Sequence, residues 1–147
     1  MTTTVLTTDR IVLSGTARTR DEAIAEAARL LEAAGAVTSD YEAAMRQRES
    51  LVSTFMGNGL AIPHGTNEAK EAILASALTI VRYDEPIDWD GNPVRVVAAI
   101  AGKDGGHMAV LSSLALVFSD DSAVEQLLAA ESPQQVLDLL GDVNDAA

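Results

Sequence analysis

The sequence predicts an α/β fold, in which a single three-layer domain holds a mixed β-sheet of about five strands with helices on both faces. The chain has 147 residues, a length that suits one domain. Apolar residues make up 48% of it and aromatic residues only 3%, which favours helices with small aliphatic side chains packed on a sheet. Helical and extended patterns alternate, without an internal repeat or linker. We therefore expect one domain over 1–147, with its core at about 10–141 and irregular tails at 1–9 and 142–147.

The predicted elements follow from apolar periodicity and from turn residues. In chain order we expect a strand at 10–14, helices at 20–34 and 40–49, a loop at 50–59, a strand at 60–62, a short helix at 67–72, strands at 74–81, 87–89 and 94–101, a loop at 102–106, and helices at 106–118, after 122 and after 132. The segment 94–101 is almost entirely apolar, as expected for a strand that is covered on both faces.

Short signals mark the ends of these elements. A Ser or Thr followed three residues later by Glu or Gln forms a capping box at a helix start. Four such pairs occur, namely Thr19–Glu22, Ser39–Glu42, Ser122–Glu125 and Ser132–Gln135. Gly35 stands where the first long helix needs a left-handed terminating residue. Asp90-Gly91 lies between two extended runs and predicts a tight hairpin turn.

Charge and composition argue against several classes of function. The net charge is −12 and the ten Lys and Arg are spread along the chain, which argues against nucleic-acid binding and against an anionic membrane surface. The absence of cysteine excludes disulfides and thiolate catalysis. The first residues lack a secretory signal, and the longest apolar run, 96–101, is too short to span a bilayer. We therefore expect a cytoplasmic protein without direct membrane insertion.

A histidine follows the short apolar strand predicted at 60–62. Pro63 ends that strand, His64 comes next, and Gly65 and Thr66 lead to the following helix. The proline and the glycine restrict and shape the backbone around the histidine, at the kind of sheet edge where α/β proteins place ligands. The alternative is an ordinary loop histidine, and His64 by itself does not distinguish the two.

The second and last histidine, His107, opens the apolar helix that follows strand 94–101. It begins the core-facing stripe of that helix, so it can be a partly buried structural histidine. Its place at a helix N-terminus, where free amides favour an anion, also suits contact with a phosphoryl group. If the strands before the two histidines are parallel neighbours, both histidines lie at the same edge of the sheet.

Two other kinds of site fit less well. A catalytic zinc usually takes three protein ligands, and no His-x-x-x-His or Glu-x-x-His spacing is present. A serine hydrolase would need a Gly-x-Ser-x-Gly elbow, whereas Ser112 and Ser113 fall inside a predicted helix. We therefore expect neither a metal nor a cofactor.

Three stretches of the sequence resemble one known family. Residues 59–66 read Gly-Leu-Ala-Ile-Pro-His-Gly-Thr, followed by Glu-Ala-Lys at 68–70, and 41–49 read Tyr-Glu-Ala-Ala-Met-Arg-Gln-Arg-Glu. Together with the second-histidine segment at 106–114, they are similar to the mannitol/fructose-type enzyme IIA (EIIA) components of the bacterial phosphoenolpyruvate-dependent sugar phosphotransferase system. The similarity runs over about 11–140, and the Thr and the Glu-Ala-Lys tail favour the mannitol branch.

The resemblance implies a role for each of three residues. His64 would accept a phosphoryl group on Nε2 from the phosphohistidine of the carrier protein HPr and pass it to a cysteine of an enzyme IIB (EIIB) component. His107 would steady the phosphoryl oxygens, and Arg48 would pair with phosphate or with a partner. The ordinary pKa of histidine, ~6.5, leaves much of the imidazole neutral and nucleophilic.

Other positions would support this site. Gly65 and Thr66 follow the reactive histidine directly, and Thr66 is a further hydrogen-bond donor for phosphate. Asn58 departs from the mannitol-type pattern, in which a glutamate can occupy that position, so it can hydrogen-bond but supplies no charge. Met45, Met56 and Met108 are candidates for an adaptable apolar surface or for plain core residues, and this choice stays open.

The resemblance also implies how the chain would work together with other components of the sugar phosphotransferase system. The chain carries no membrane segment and no cysteine-bearing EIIB portion, so it would act as a separate cytoplasmic component that drives uptake of a sugar or polyol, with mannitol favoured. An alternative is a regulatory module whose phosphorylation state controls partner binding. A relative that has lost its activity is a third reading, against which the presence of both histidines speaks.

Overall fold

A five-stranded mixed sheet lies between two layers of helices in the computed structural model, which describes residues 5–66, 71–103 and 107–140. Of His107 and Ala109 it describes only the backbone. After a 3₁₀ turn, Thr8–Arg10, the elements are β1 Ile11–Val12, α1 Arg20–Ala33, α2 Tyr41–Leu51, β2 Phe55–Gly57, β3 Leu60–Ala61, β4 Ala77–Trp89, β5 Asn92–Ala101, α3 His107–Phe118, α4 Asp121–Ala129 and α5 Pro133–Leu139.

The strand order across the sheet is β1-β4-β5-β3-β2. β1 runs parallel to β4, and β3 runs parallel to β5, whereas β4 with β5 and β2 with β3 are antiparallel pairs. The predicted fold class is confirmed, with a mixed sheet of five strands and helices on both faces. Within the described residues, no helix is long and apolar enough to cross a membrane.

The two faces of the sheet bury different side chains because successive strand residues point to opposite sides. One face packs against α3, α4 and α5, and its strand residues include Leu60, Leu78, Ile80, Val96, Ala98 and Ile100. The other face packs against α1 and α2, and its strand residues include Ala61, Ala77, Val81, Val97, Ala99 and Ala101. Every residue of β5 from 96 to 101 is buried, as predicted for a strand covered on both faces.

Several predicted helix ends are confirmed. The hydroxyls of Thr19 and Ser132 accept the backbone amides of Glu22 and Gln135, at 3.2 and 3.3 Å. In both helices the side chain at the third position bonds the amide just before the cap, rather than that of the cap itself. Gly35, with φ of 75°, follows the last turn of α1 in the left-handed conformation that glycine adopts without strain.

The hairpin between β4 and β5 also forms where it was predicted. Asp90 and Gly91 both have positive φ, 55° and 92°, as a two-residue hairpin turn requires. The strand expected at 74–81 begins later, at Ala77, and it forms a single strand β4 with the one expected at 87–89, with a shift of pairing register between Arg82 and Ile87. The exposed Pro86 lies within this irregular stretch, where a proline can be accommodated because the regular strand pairing is interrupted.

The start of α2 differs from the prediction. The N-cap is Asp40, and no side chain caps the helix, so the Ser39–Glu42 capping box is wrong. The amide of Tyr41 instead bonds the carbonyl of Thr38 at 3.1 Å, so this first amide of the helix has a backbone partner.

Two further boundaries differ. α4 begins at Asp121 because the carboxylate of Asp120, and not the hydroxyl of Ser122, caps it and accepts the Ser122 amide at 3.0 Å. The predicted loop at 50–59 contains strand β2, since the chain turns back there and pairs with β3. The helix expected at 67–72 falls mostly outside the described residues.

Residues 5–9 are held against the domain and do not form an irregular tail, since Val5 and Leu6 are buried and a 3₁₀ turn begins at Thr8. Val5 and Leu6 are buried among the aliphatic residues of the sheet face that α3, α4 and α5 cover. The carbonyl of Val5 accepts the amide of Leu78 at 2.8 Å, which fixes this segment beside β4. The expectation of a tail at 1–9 is therefore wrong over these residues, and the predicted C-terminal tail lies outside the described residues.

Candidate functional site

The two histidines follow strands that are parallel neighbours. β3 pairs with β5 in the register Leu60 with Val96 and Ala61 with Val97, so the carboxyl ends of both strands meet at one edge of the sheet. His64 comes three residues after β3, and the backbone of His107 opens α3, which follows β5. The sequence left open whether the strands before the two histidines are parallel neighbours, and the structure shows that they are. The side chain of His107 lies outside the described part of the chain.

The imidazole of His64 is partly buried and has a defined orientation. Its Nδ1 lies 2.9 Å from the carbonyl oxygen of Ile62. A carbonyl oxygen can only accept a hydrogen bond, so Nδ1 carries the proton that is donated. In the neutral ring this leaves Nε2 as the nitrogen without a proton.

The backbone on both sides of His64 is anchored to three different elements. The three hydrogen bonds run from the Ile62 amide to the Thr54 carbonyl at 3.1 Å, from the Ile100 amide to the Pro63 carbonyl at 3.0 Å, and from the Gly65 amide to the Tyr41 hydroxyl at 2.8 Å. Because the anchors come from the residue before β2, from β5 and from α2, the position of the histidine depends on the packing of the whole sheet edge.

Tyr41 is a residue of the site that sequence reasoning did not single out. Its hydroxyl accepts the Gly65 amide and donates to the carbonyl of Ile100 at 2.9 Å, and its side chain is buried. Burial raises the pKa of Tyr41 despite the opposing hydrogen bond from Gly65, so the hydroxyl keeps the proton that it donates. The available signal was its place in the stretch that resembles the enzyme IIA family.

Gly65 is close to the ring of Tyr41. A Cβ at this position would lie 2.5 Å from Tyr41 Cε1, a distance at which one of the two groups must move. The predicted supporting role of Gly65 thus has a steric basis, since only glycine lets the backbone after His64 approach the tyrosine. Thr66, half-exposed, is the last residue described before the gap at 67–70.

Glu49 is a second residue that the sequence did not single out. Its side chain is only 3% exposed, and its carboxylate accepts hydrogen bonds from the Thr54 amide, the Thr54 hydroxyl and the Trp89 indole. The signal was its spacing, since Tyr41, Met45 and Glu49 recur every four residues and share the buried face of α2.

Arg48 lies on α2, two helical turns or about 10 Å along the axis from Tyr41. Its Nη1 donates to the carbonyl of Val52 at 2.6 Å, which fixes the guanidinium at the end of the helix that anchors the His64 segment. Leu51 and Val52 expose large apolar side chains beside it. The predicted arginine therefore lies on the same chain segment as two exposed apolar side chains.

Asn58 is not brought to His64. It occupies the turn between β2 and β3, at the opposite end of β3, with a positive φ of 50°. Its amide donates to the Phe118 carbonyl at 2.6 Å and to the Asp121 carboxylate at 3.4 Å, so it joins the β2–β3 turn to the junction of α3 and α4. Its described contacts support that junction rather than the histidine.

The three methionines considered as an apolar surface separate into two groups. Met45 is completely buried, so its core alternative is correct. Met56 and Met108 are 49% and 61% exposed, on β2 and in the first turn of α3. In the described part of the chain, no three His, Asp or Glu side chains cluster so as to hold a metal ion.

A family model described as the phosphoenolpyruvate-dependent sugar phosphotransferase system, EIIA 2, matches residues 4–143. The match covers nearly the whole chain and defines its class as a phosphotransferase of the enzyme IIA type. The chain belongs to this EIIA 2 family, which confirms the resemblance drawn from the sequence.

Known relatives with high coverage carry mannitol in their names. A mannitol-specific phosphotransferase enzyme IIA component of Halalkalibacterium halodurans is 47% identical over 145 residues, which cover 99% of this chain and all of that protein. The Staphylococcus aureus protein of the same name is 48% identical over 128 residues, covering 87% of this chain and 89% of its own. The resemblance to the mannitol branch is therefore confirmed.

Solved structures share the fold. A complex of enzyme IIA mannitol with phosphorylated enzyme IIB mannitol from Escherichia coli has a TM-score of 0.86 at 34% identity, covering 92% of this chain and 96% of the matched chain. The nitrogen regulatory protein IIA-Ntr from Neisseria meningitidis has a TM-score of 0.82 at 31% identity, with 92% and 96% covered.

Proposed function

We propose that His64 is the phosphoryl acceptor of this chain and that it reacts through Nε2. The observation that carries this proposal is the hydrogen bond between Nδ1 of His64 and the carbonyl of Ile62. It holds the proton on Nδ1, leaves the lone pair on Nε2, and stabilises the Nδ1–H as the ring gains positive charge on phosphorylation.

The transfer proceeds in two balanced steps. Nε2 of His64 attacks the phosphorus of a phosphohistidine on HPr, and the new N–P bond forms while the donor's N–P bond breaks and its electron pair returns to the donor imidazole. A cysteine thiolate of an EIIB component then attacks the same phosphorus. The S–P bond forms, and the electron pair of the broken bond returns to Nε2.

The phosphoryl group requires positive counterparts in this acidic protein. It adds about 1.5 to 2 negative charges at neutral pH to a chain whose net charge is already −12. Arg48 on α2 and the first amides of α3 are the groups we assign to this role, with His107 donating to a phosphoryl oxygen. Positioning and charge stabilisation dominate the catalysis of phosphoryl transfer.

The partners and the sugar follow from the relatives. The solved complex of an enzyme IIA with phosphorylated enzyme IIB supports an EIIB partner, and the exposed apolar side chains beside Arg48 offer it an adaptable docking surface. The names of the relatives support mannitol as the sugar. We place this exchange, with HPr as the donor, in the cytoplasm.

A regulatory role is the second candidate, and the similarity to a nitrogen regulatory IIA protein favours it. The higher identity to mannitol-specific relatives favours transport. Mannitol uptake in cells that lack this chain separates the two, since the transport role predicts that uptake is lost, and the regulatory role predicts that it persists with altered control.

The direct test is incubation with phosphoenolpyruvate, the first enzyme of the system and HPr. We expect one acid-labile, base-stable phosphate per chain, absent from His64→Ala, with nitrogen NMR placing the phosphorus on Nε2. His107→Ala and Arg48→Ala should still be labelled at His64 but at a slower rate. Equal labelling of wild type and His64→Ala, or a phosphate on Nδ1, would contradict the proposal.

A further inference from the structure

The carboxylate of Glu49 is buried and satisfied without any cationic partner among its described contacts. Oε2 accepts the Thr54 amide at 2.7 Å and the Trp89 indole N–H at 3.0 Å, and Oε1 accepts the Thr54 hydroxyl at 2.5 Å. Two of these bonds go to one residue, so the carboxylate fixes both the backbone and the side chain of Thr54. A charged acceptor makes such bonds stronger than a neutral one does.

Thr54 in turn holds the residue on which the orientation of His64 depends. Its carbonyl accepts the amide of Ile62 at 3.1 Å, and the carbonyl of Ile62 accepts Nδ1–H of His64 at 2.9 Å. An unbroken series of contacts thus leads from Glu49 through Thr54 and Ile62 to the imidazole.

We propose that Glu49 is a positioning residue for His64, acting through Thr54 and Ile62 to hold the imidazole in the Nδ1–H form that presents Nε2. This inference rests on the proposed phosphoryl transfer at His64 and deepens it. Without the carboxylate, the Thr54 segment loses its anchor, the Ile62 carbonyl shifts, and the imidazole samples both tautomers and more orientations.

The chain offers a matched control in Glu26. This second helical carboxylate accepts hydrogen bonds from the Tyr83 hydroxyl at 2.6 Å, the Thr16 amide at 3.0 Å and the Thr16 hydroxyl at 2.9 Å. It therefore also anchors a neighbouring segment and lies on the same face of the sheet, but its contacts lead to residues 15–17 and not to His64.

The experiment compares Glu49→Ala with Glu26→Ala by three measurements. Ring-nitrogen NMR of the two histidines gives the tautomer of His64 in the absence of any partner. Single-turnover kinetics with phospho-HPr separate the transfer rate from the affinity for the donor. Thermal unfolding gives the loss of stability that a purely structural carboxylate would also cause.

For Glu49→Ala we expect loss of the predominant Nδ1–H tautomer and transfer slowed by about 10- to 100-fold, with little change in the affinity for phospho-HPr. For Glu26→Ala we expect a lower melting temperature with the wild-type tautomer and transfer rate. Glu49→Gln, which keeps an oxygen for the two N–H donors, should restore most of both properties.

A variant that does not fold would leave Thr54→Val to carry the test, because it removes the hydroxyl and retains the amide. We expect it to shift the tautomer and the transfer rate in the same direction as Glu49→Ala, to a smaller extent. Wild-type values of both in Glu49→Ala, or in Thr54→Val if Glu49→Ala is unfolded, would overturn the inference, as would equal losses in Glu26→Ala. A wild-type chain that is never labelled at His64 would instead refute the proposed transfer.

Discussion

The two faces of the sheet hold cores of different chemistry. The face covered by α3, α4 and α5 is almost purely aliphatic, and Phe118 is the one aromatic residue among its buried members in the described residues. The face covered by α1 and α2 buries Tyr41, Tyr83 and Trp89, and each of these donates a hydrogen bond to a carboxylate or to a backbone carbonyl.

The two faces therefore contribute differently: aliphatic packing stabilises the fold, and the buried hydrogen bonds orient particular backbone segments. Aliphatic packing contributes in proportion to the area removed from water and has no preferred direction. Hydrogen bonds to buried groups act only over a narrow range of distance and angle, so they fix where a backbone segment lies. We call the face covered by α1 and α2 the polar face. On this side the Tyr41 hydroxyl bonds the amide of Gly65, and the Glu49 carboxylate bonds the amide of Thr54. We therefore expect substitutions on the two faces to have different consequences.

The largest change in stability should come from the aliphatic face. Leu127→Ala on α4 removes a side chain that is completely buried and leaves a cavity, at a cost of about 2 to 5 kcal/mol in the free energy of unfolding. Urea denaturation measures this loss. The folded variant should transfer phosphoryl at the wild-type rate, and a slower rate at temperatures where it is fully folded would show that this face also orients the site.

Among substitutions on the polar face, Gly65→Ala should slow phosphoryl transfer the most. The new Cβ would collide with the ring of Tyr41 and displace the backbone beside His64, so we expect transfer about 10²-fold slower. Gly15→Ala is the matched control, because its Cβ would collide with the ring of Tyr83 on the same face. It should lower the melting temperature with little effect on single-turnover transfer, and a comparable slowing in both variants would remove the distinction.

Tyr41→Phe should have a smaller effect on the same segment. It leaves the partly buried amide of Gly65 without its acceptor, at a cost of about 1 kcal/mol in stability, and we expect transfer to slow by roughly tenfold. Tyr83→Phe removes a comparable hydroxyl that bonds Glu26. Denaturation should show similar losses in both, whereas kinetics with phospho-HPr should show a change only in Tyr41→Phe.

The smallest effect concerns the acid dependence of stability. Burial raises the pKa of Glu26, but hydrogen bonds from Tyr83, Thr16 and Ala17 outweigh it, so the pKa lies below its ordinary value of 4.5. A lowered pKa in the folded state means that the unfolded chain binds the proton more readily. The stabilisation is therefore present above the ordinary pKa and is lost as the pH falls through the folded value.

Melting temperatures of wild type and Glu26→Gln, measured from neutral pH down to about pH 3, check this expectation. The wild type should lose more stability on acidification than the variant, and the two should transfer phosphoryl equally at neutral pH. Parallel melting curves across the acid range would mean that Glu26 makes no pH-dependent contribution.

Local signals predicted those parts of the fold that depend on neighbouring residues. The Thr19 cap, the left-handed Gly35 and the Asp90-Gly91 turn each formed, because backbone sterics and hydrogen bonds over a few residues decide them. The prediction failed where a local signal had a competitor. Asp120 caps α4 in place of Ser122, and α2 begins on backbone bonds without the Ser39 box.

For the site, the sequence supplied the reactive residue types but not their supports. His64, Arg48 and Gly65 were found from their motif, whereas Tyr41 and Glu49 appeared only as members of the stretch 41–49 and were given no role. The Tyr41 hydroxyl bonds Gly65, 24 positions further along the chain, and the Glu49 carboxylate bonds both Thr54 and Trp89, the latter 40 positions away. The opposite holds for Asn58. It is only six residues from His64 in the sequence, but the two residues lie at opposite ends of β3.

The sequence by itself determined the α/β class, the main helix and hairpin boundaries, and the histidine at the end of a strand, because periodicity, caps and turns act through short-range sterics. Only the tertiary structure decided that β3 and β5 are parallel neighbours, and that Tyr41 of α2 supplies one of the three anchors of the His64 segment. Strand pairing and buried hydrogen bonds join residues that are far apart in the chain. Their geometry follows from how the whole sheet packs, and no local pattern encodes it.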